Sequence, residues 1–188
     1  MIALALTLAL APTPQAIDVE GQVKLANGRP GGLAAVWLEG NAKGKPLAKA
    51  MIDQRDRTFI PHVAVVPVGT RVDFPNNDTV MHNVFADYNA KILDLKAYGR
   101  GASRNVVFDK EGLVVLQCNM HSEMGAFIMV VDTPYYAVAD KNGRFMIKDV
   151  PAGKYVVHGW HESKQTSKED RIISAGSTLN LSLARRRN

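Results

Sequence analysis

Short apolar segments, interrupted at regular intervals by residues that favour turns, run through most of this 188-residue chain. Valine occurs twenty times, and glycine, proline, asparagine and aspartate separate the apolar runs. This pattern is typical of β-strands joined by short turns. Because no long helix is required anywhere, the sequence predicts an all-β protein. With 46% hydrophobic and 22% charged residues, the chain can bury one or two cores, so two domains are the upper limit.

Three stretches follow an N-terminal leader. The first, 17–50, contains two strand-like runs around a turn rich in glycine and proline. The second, 51–131, alternates strands with polar turns and ends in a strongly apolar strand. The third, 132–188, contains further alternating strands and a basic tail. Within it, the hydrophilic segment 162–170 is predicted to be a loop.

The leader begins with an uncharged apolar run, Met1 to Ala11, that ends in the small-x-small pattern Ala-Leu-Ala. This is typical of a signal peptide, and we expect one over residues 1–16, with cleavage after residue 11 or 16 and export to the periplasm. The run is too short for a transmembrane helix, which needs about 20 apolar residues. The basic residues that usually precede such a run are missing, so a misplaced start codon or a simple apolar terminus is the alternative.

Charge and cysteine content exclude several classes of function. The formal net charge of +5 favours acidic partners, but its diffuse distribution does not indicate nucleic-acid binding. The single cysteine excludes an internal disulfide, a four-cysteine zinc site and an iron–sulfur cluster held by this chain alone. That thiol needs another explanation.

The strongest chemical signal is a Cys-x2-His-x2-Met motif formed by Cys118, His121 and Met124. By the two-residue period of a strand, Cys118 lies at the end of an inward-facing row, and the motif occupies the loop before the next strand. A second imidazole, His82, follows another strand and its turn, and an antiparallel sandwich can bring it beside this loop. Two histidines, one cysteine and a weak axial methionine are the ligands of an electron-transfer copper site.

The segments around these residues resemble the cupredoxin family of plastocyanins, azurins and amicyanins. The likeness covers about 51–131 and rests on 59–78, on His82-Asn83-Val84-Phe85 and on 118–124. It implies a Greek-key β-sandwich that holds one type 1 copper ion. In this sandwich His82, Cys118 and His121 would be equatorial ligands and Met124 the axial ligand. Asn83 would tie the two ligand loops together.

The resemblance also implies how electrons and partners reach the site. His121 would be the ligand nearest the surface, and Met120, Gly125 and Ala126 would form an apolar patch for docking redox proteins. The short gap between His121 and Met124 is similar to amicyanin. Ser122 and Glu123 depart from amicyanin, which carries proline and an aromatic residue there, and Glu123 is a minor alternative to Met124 as ligand.

The flanking segments resemble a different module. Parts of 21–38 and the run 140–155 look like the two ends of a carboxypeptidase-regulatory-like β-sandwich. The whole order is similar to periplasmic proteins of the methylamine-utilisation type. Alternatively, 17–50 supplies the first strands of the cupredoxin. His158 and His161 point to opposite faces of a strand and are expected to have structural or interface roles, and His62 is expected to be a strand residue.

The sequence therefore predicts a periplasmic one-electron carrier without enzymatic turnover. The alternative is a periplasmic protein that buffers or delivers copper, although such proteins usually carry several methionine or histidine motifs. A copper oxidase or nitrite reductase needs a second copper site, and the five histidines leave too few for it. A metal-free β-sandwich scaffold is the remaining alternative.

Overall fold

The computed structural model describes residues 16–87 and 90–185, so residues 1–15 of the predicted signal peptide lie outside the described part. The described residues form eighteen strands and no helix, which confirms the all-β prediction. The strands are β1 (Ala16–Lys24), β2 (Ala35–Glu39), β3 (Ala50–Met51), β4 (Asp53–Arg55), β5 (Thr58–Ile60), β6 (Val63–Pro67), β7 (Thr70–Pro75), β8 (Phe85–Ala86), β9 (Leu93–Asp94), β10 (Ser103–Phe108), β11 (Gly112–Gln117), β12 (Gly125–Val131), β13 (Tyr136–Val138), β14 (Arg144–Pro151), β15 (Gly153–His161), β16 (Gln165–Ile173), β17 (Thr178–Ser182) and β18 (Ala184–Arg185). In these ranges no helix is long and apolar enough to cross a membrane.

Strands β3 to β12 form a first layered unit, which we call the site sandwich. One sheet has the order β6-β12-β11-β8-β9 and the other has the order β10-β7-β3. Alternate residues of both sheets point inward and form one apolar core, as expected for two sheets packed face to face. Its largest fully buried side chains include Phe59, Phe74, Phe108, Leu116 and Ile128.

Strands β1, β2 and β13 to β18 form a second layered unit, which we call the terminal sandwich. Its sheets have the orders β14-β1-β17 and β13-β2-β15-β16-β18. Both N-terminal strands therefore pair with strands that follow residue 131, and β1 lies between an antiparallel and a parallel neighbour. This unit has its own apolar core, to which Val19, Leu38, Ile147 and Leu181 contribute. Its resemblance to a carboxypeptidase-regulatory-like domain stays a prediction.

A third apolar cluster joins the two sandwiches. Strand β12 contributes Phe127, Met129 and Val131 to it, whereas its alternate residues point into the core of the site sandwich. From the terminal sandwich, Trp160 packs against Phe127 with ring centroids 5.1 Å apart. Because β12 is covered on both faces, nearly all of its residues are apolar, as in a strand buried between two layers.

The segment predicted as a loop at 162–170 differs from the structure. Most of it belongs to β16, which pairs with β15 over nine residues. Its polar side chains misled the prediction because β16 lies near the edge of its sheet, with most of its side chains exposed or half-buried. This strand is defined by its backbone hydrogen bonds with β15, which the pattern of apolar residues in the sequence does not reveal.

Candidate metal centre

The Cys-x2-His-x2-Met motif forms a short loop between β11 and β12. Cys118 directly follows β11, and Val114, Leu116 and Cys118 all lie in the same core, which confirms the predicted inward-facing row. The amide of Met124 donates to the carbonyl of His121 at 3.0 Å, and the amide of Cys118 donates to the carbonyl of Met124 at 3.3 Å. These two hydrogen bonds join the beginning of the loop to its end and so fix the backbone that carries the three side chains.

Three donor atoms converge beneath this loop. The Nδ1 atoms of His82 and His121 lie 3.1 Å apart, and each lies 3.9 Å from the Cys118 sulfur. A point equidistant from the three atoms lies about 2.1 Å from each. This is close to the metal–nitrogen bond length of about 2.0–2.1 Å and within about 0.2 Å of the metal–sulfur bond length in protein zinc sites. A thiolate and two imidazoles in a triangle fit one type 1 copper ion.

The fourth predicted ligand, Met124, is buried in the apolar core that also contains Cys118. Glu123, the alternative, is exposed. A buried thioether next to a buried thiol suits the weak axial position of such a site, whereas an exposed carboxylate does not. We therefore retain Met124 as the proposed axial ligand.

Sequence reasoning missed the carboxylate that holds His82. Asp78 lies four residues earlier in the polar turn after β7, and its Oδ2 accepts a hydrogen bond from the His82 Nε2 at 2.9 Å. Both side chains are almost completely buried. Because the carboxylate fixes the proton on Nε2, the lone pair of Nδ1 faces the other two donor atoms. The signal in the sequence was the Asp-x3-His spacing, which is easily taken for ordinary turn chemistry.

The carboxylate of Asp78 is itself held by backbone donors. The amide of Arg57 donates to Oδ2 at 2.7 Å, and the amide of Thr79 donates to Oδ1 at 2.6 Å. The bond from Arg57, together with the one from His82, holds the pKa of Asp78 well below its usual range. Arg57 has a positive φ of 54° in the turn between β4 and β5, which aims its amide at the carboxylate. An ionised carboxylate can only accept hydrogen bonds, which fits a bond donated by His82.

Asn83 links the two loops that carry the donor atoms. Its Oδ1 accepts a hydrogen bond from the amide of Asn119 at 2.8 Å, and Asn83 is buried. Since Asn83 follows His82 and Asn119 follows Cys118, this bond fixes the separation of the loops beside the sulfur. The geometry supports the role that the family resemblance implied for Asn83.

Tyr98 fixes the backbone of His82 from the opposite side. The amide of Tyr98 donates to the carbonyl of His82 at 2.9 Å, and the reverse bond is 3.2 Å long. Its hydroxyl donates to the carbonyl of Phe74 at 2.9 Å and accepts a bond from the Gln54 Nε2 at 2.6 Å. Burial raises the pKa of Tyr98 to about 12.

Replacing this tyrosine, Tyr98→Phe, is expected to lower the free energy of unfolding by about 1–3 kcal/mol, because Phe74 and Gln54 each lose a buried partner. Burial raises the folded pKa to about 12, above the ordinary value of 10.0, so the buried neutral phenol costs no stability below pH 10. As the pH rises from 10 towards 12, the unfolded chain ionises first and the wild type loses stability, which the variant does not. Denaturant unfolding from neutral to alkaline pH measures the difference between variant and wild type. An equal alkaline loss in both proteins would contradict the assignment.

The predicted docking patch is partly wrong. Met120 is 50% exposed and His121 is half-buried, but Ala126 is completely buried. Ala126 is the first inward-facing residue of β12, and the alternation of the strand directs it into the core. Met81, which the prediction did not include, is 49% exposed directly before His82.

The other three histidines lie outside the donor cluster. His158 stacks on Trp37 and contacts Glu39 at 2.8 Å between β15 and β2. The Nδ1 of His161 contacts the Ser163 hydroxyl at 2.8 Å. His62 precedes β6 and, unlike the strand residue that was expected, lies in a bend and contacts two distant segments of the chain.

No family model matches the chain, and no curated protein does. Solved structures similar to it include a purple cupredoxin from Nitrosopumilus maritimus, which is 26% identical with a TM-score of 0.40, and the match covers 44% of this chain and 99% of the cupredoxin. A copper-containing nitrite reductase from Thermus scotoductus SA-01 is 24% identical with a TM-score of 0.44, over 51% of this chain and 25% of the reductase. A mutant of amicyanin in the Cu(I) state is 14% identical with a TM-score of 0.41, over 51% of this chain and 98% of amicyanin. The solved structures that this chain resembles over about half of its length thus include cupredoxins.

Proposed function

We propose that the protein is an exported type 1 copper protein that carries single electrons between redox partners in the periplasm. The observation that carries this proposal is the convergence of one thiol sulfur and two imidazole Nδ1 atoms on a single point. His82, Cys118 and His121 would hold the metal, with Met124 as the weak axial donor. Copper bound there would supply a one-electron redox couple.

The chain contributes rigidity to this chemistry. Asp78 fixes the ring of His82, Asn83 fixes the distance between the loops, and the bonds within 118–124 fix the remaining donors. When the ligands of a metal site are themselves held by hydrogen bonds, the geometry of the site changes little as the charge of the metal changes. Little rearrangement favours fast electron transfer and disfavours release of the metal.

The exposed edge of the site suits a protein partner. His121 is the only one of the three clustered donors that reaches the surface, since His82 and Cys118 are buried. Met81 and Met120, which directly precede His82 and His121 in the chain, are both exposed. Soft, adaptable side chains around a ligand edge are suited to transient contacts. The net charge of +5 favours an acidic partner.

Copper loading tests the proposal. The purified full chain incubated with Cu(II) is expected to bind one equivalent and to show an intense thiolate-to-copper absorption band in the visible, with a matching electron paramagnetic resonance signal. Stopped-flow mixing with a small one-electron donor should bleach the band rapidly. A loaded protein without this band would overturn the proposal.

Two further measurements separate the electron carrier from other copper proteins. Release of copper to a strong chelator should be slow in a carrier and fast in a protein that delivers the metal. Assays for nitrite and oxygen turnover should give no product. Rapid release, or turnover with either substrate, would favour the alternative functions.

A further inference from the structure

We propose that the terminal sandwich positions the ligand loop of the metal centre through one imidazole, His62, and one carboxylate, Glu162. This inference rests on the proposed copper function and assigns a role to the part of the chain that does not hold the metal. His62 acts here as a positioning residue, because it contacts the loop and not the donor atoms themselves.

His62 bridges the two sandwiches by hydrogen bonds from both ring nitrogens. Its Nδ1 lies 3.0 Å from the carbonyl oxygen of Gly125, the residue that directly follows Met124. Its Nε2 lies 2.6 Å from the carboxylate of Glu162, in the turn between β15 and β16 of the terminal sandwich. Since a carbonyl can only accept, Nδ1 donates to Gly125, and Nε2 is left to face the carboxylate of Glu162.

Packing fixes the ring in this position. His62 meets the ring of Phe127 edge-on, with centroids 5.3 Å apart, and Phe127 in turn packs against Trp160 of the terminal sandwich. The backbone of His62 also accepts a hydrogen bond from the amide of Phe127 at 2.9 Å. The imidazole is therefore held by ring packing, by its own backbone and by Glu162.

The contact falls on Gly125, the first residue of β12, which also lies opposite Gln117 in the β11–β12 ladder. The hydrogen bonds that join Met124 to Cys118 and to His121 close the loop internally, whereas its exit into β12 begins at Gly125. A fixed carbonyl at Gly125 limits the rotation of the peptide that joins it to Met124. The position of the thioether relative to the other donors would then depend on His62, whose ring is oriented by Glu162 of the terminal sandwich. The axial ligand is one of the groups that tune such copper sites.

Three variants of the copper-loaded full chain test this role. Glu162→Ala removes the carboxylate, and His62→Phe keeps the ring packing but removes both hydrogen bonds. In each we expect a changed intensity ratio of the visible copper bands, and copper affinity lower by roughly tenfold, the low end of what outer contacts contribute. Glu162→Gln keeps a polar partner for Nε2 and is expected to restore the wild-type spectrum.

A second imidazole–carboxylate pair provides the matched control. His158 and Glu39 make an equivalent contact at 2.8 Å within the terminal sandwich. Glu39→Ala should therefore alter the unfolding midpoint without altering the spectrum. If Glu162→Ala and His62→Phe both show the wild-type spectrum, or if Glu39→Ala changes it equally, the positioning role is wrong.

The result is separable from the proposed function itself. A wild-type chain that binds copper without the visible band refutes the copper function, whereas a coloured wild type with unchanged variants refutes only the role of His62. Should His62→Phe fail to fold, Glu162→Ala decides alone, because the Glu162 side chain is 43% exposed and its removal leaves no cavity.

Discussion

The variant Cys118→Ser, loaded with Cu(II), is expected to lose the visible absorption band completely. The band requires covalent overlap between a thiolate sulfur and copper, and Cys118 is the sole cysteine of the chain. A serine hydroxyl at this buried position cannot replace the thiolate, because it stays protonated and is a hard donor. The remaining imidazoles would hold copper only weakly.

Absorption spectroscopy and metal analysis of the desalted protein measure both effects. Ser122→Ala is the matched control, since Ser122 lies in the same loop but is exposed and is not one of the proposed ligands. It should retain the band and one equivalent of copper. A Cys118→Ser protein that keeps the band would refute the ligand assignment.

Asp78→Asn is expected to lower copper affinity by about 10–100-fold, the usual effect of removing the outer partner of a metal-bound histidine. The Asp78 carboxylate accepts hydrogen bonds from three donors, which belong to Arg57, Thr79 and His82. An amide has one acceptor oxygen, so its NH2 group must face a donor on one side. His82 then loses its fixed orientation, and unfolding should also become easier by about 1–3 kcal/mol.

Titration of Cu(I) against a competing chelator measures the affinity of the variant. Asp53→Asn is the matched control, because Asp53 is also buried near this turn but accepts hydrogen bonds from Gln54, Arg55 and Asn77. It should alter stability and leave copper affinity near that of wild type. Equal affinities for both variants would contradict the role of Asp78.

The donor set could be predicted from sequence because its chemistry is local. Cys118 and His121 lie within one loop, so their convergence needs only a turn between two strands, whereas Met124 stays a proposed ligand. His82 lies far from this loop in the chain. Its place after a strand and a polar turn was nevertheless enough to predict that it lies at the same end of a sandwich. The structure places its Nδ1 within 3.9 Å of the sulfur.

The supporting contacts could not be predicted, because each depends on tertiary neighbours without a pattern of their own. Asp78 looks like an ordinary turn residue until the ring of His82 is placed beside it. His62 gains its role from Gly125 and Glu162, which are far away in the chain. Ala126 was misplaced because its apolar character fits an exposed patch and a core equally well, and only the register of β12 decides between them.

The pairing of β1 with β17 has a consequence for biogenesis. Glu20 lies beside Thr178 in this sheet, so the terminal sandwich cannot close until nearly the whole chain has been made. The site sandwich, in contrast, is complete once residue 131 has emerged. Until the strands after residue 131 have been made, β1 and β2 have unpaired edges and exposed apolar faces, which are liable to aggregate.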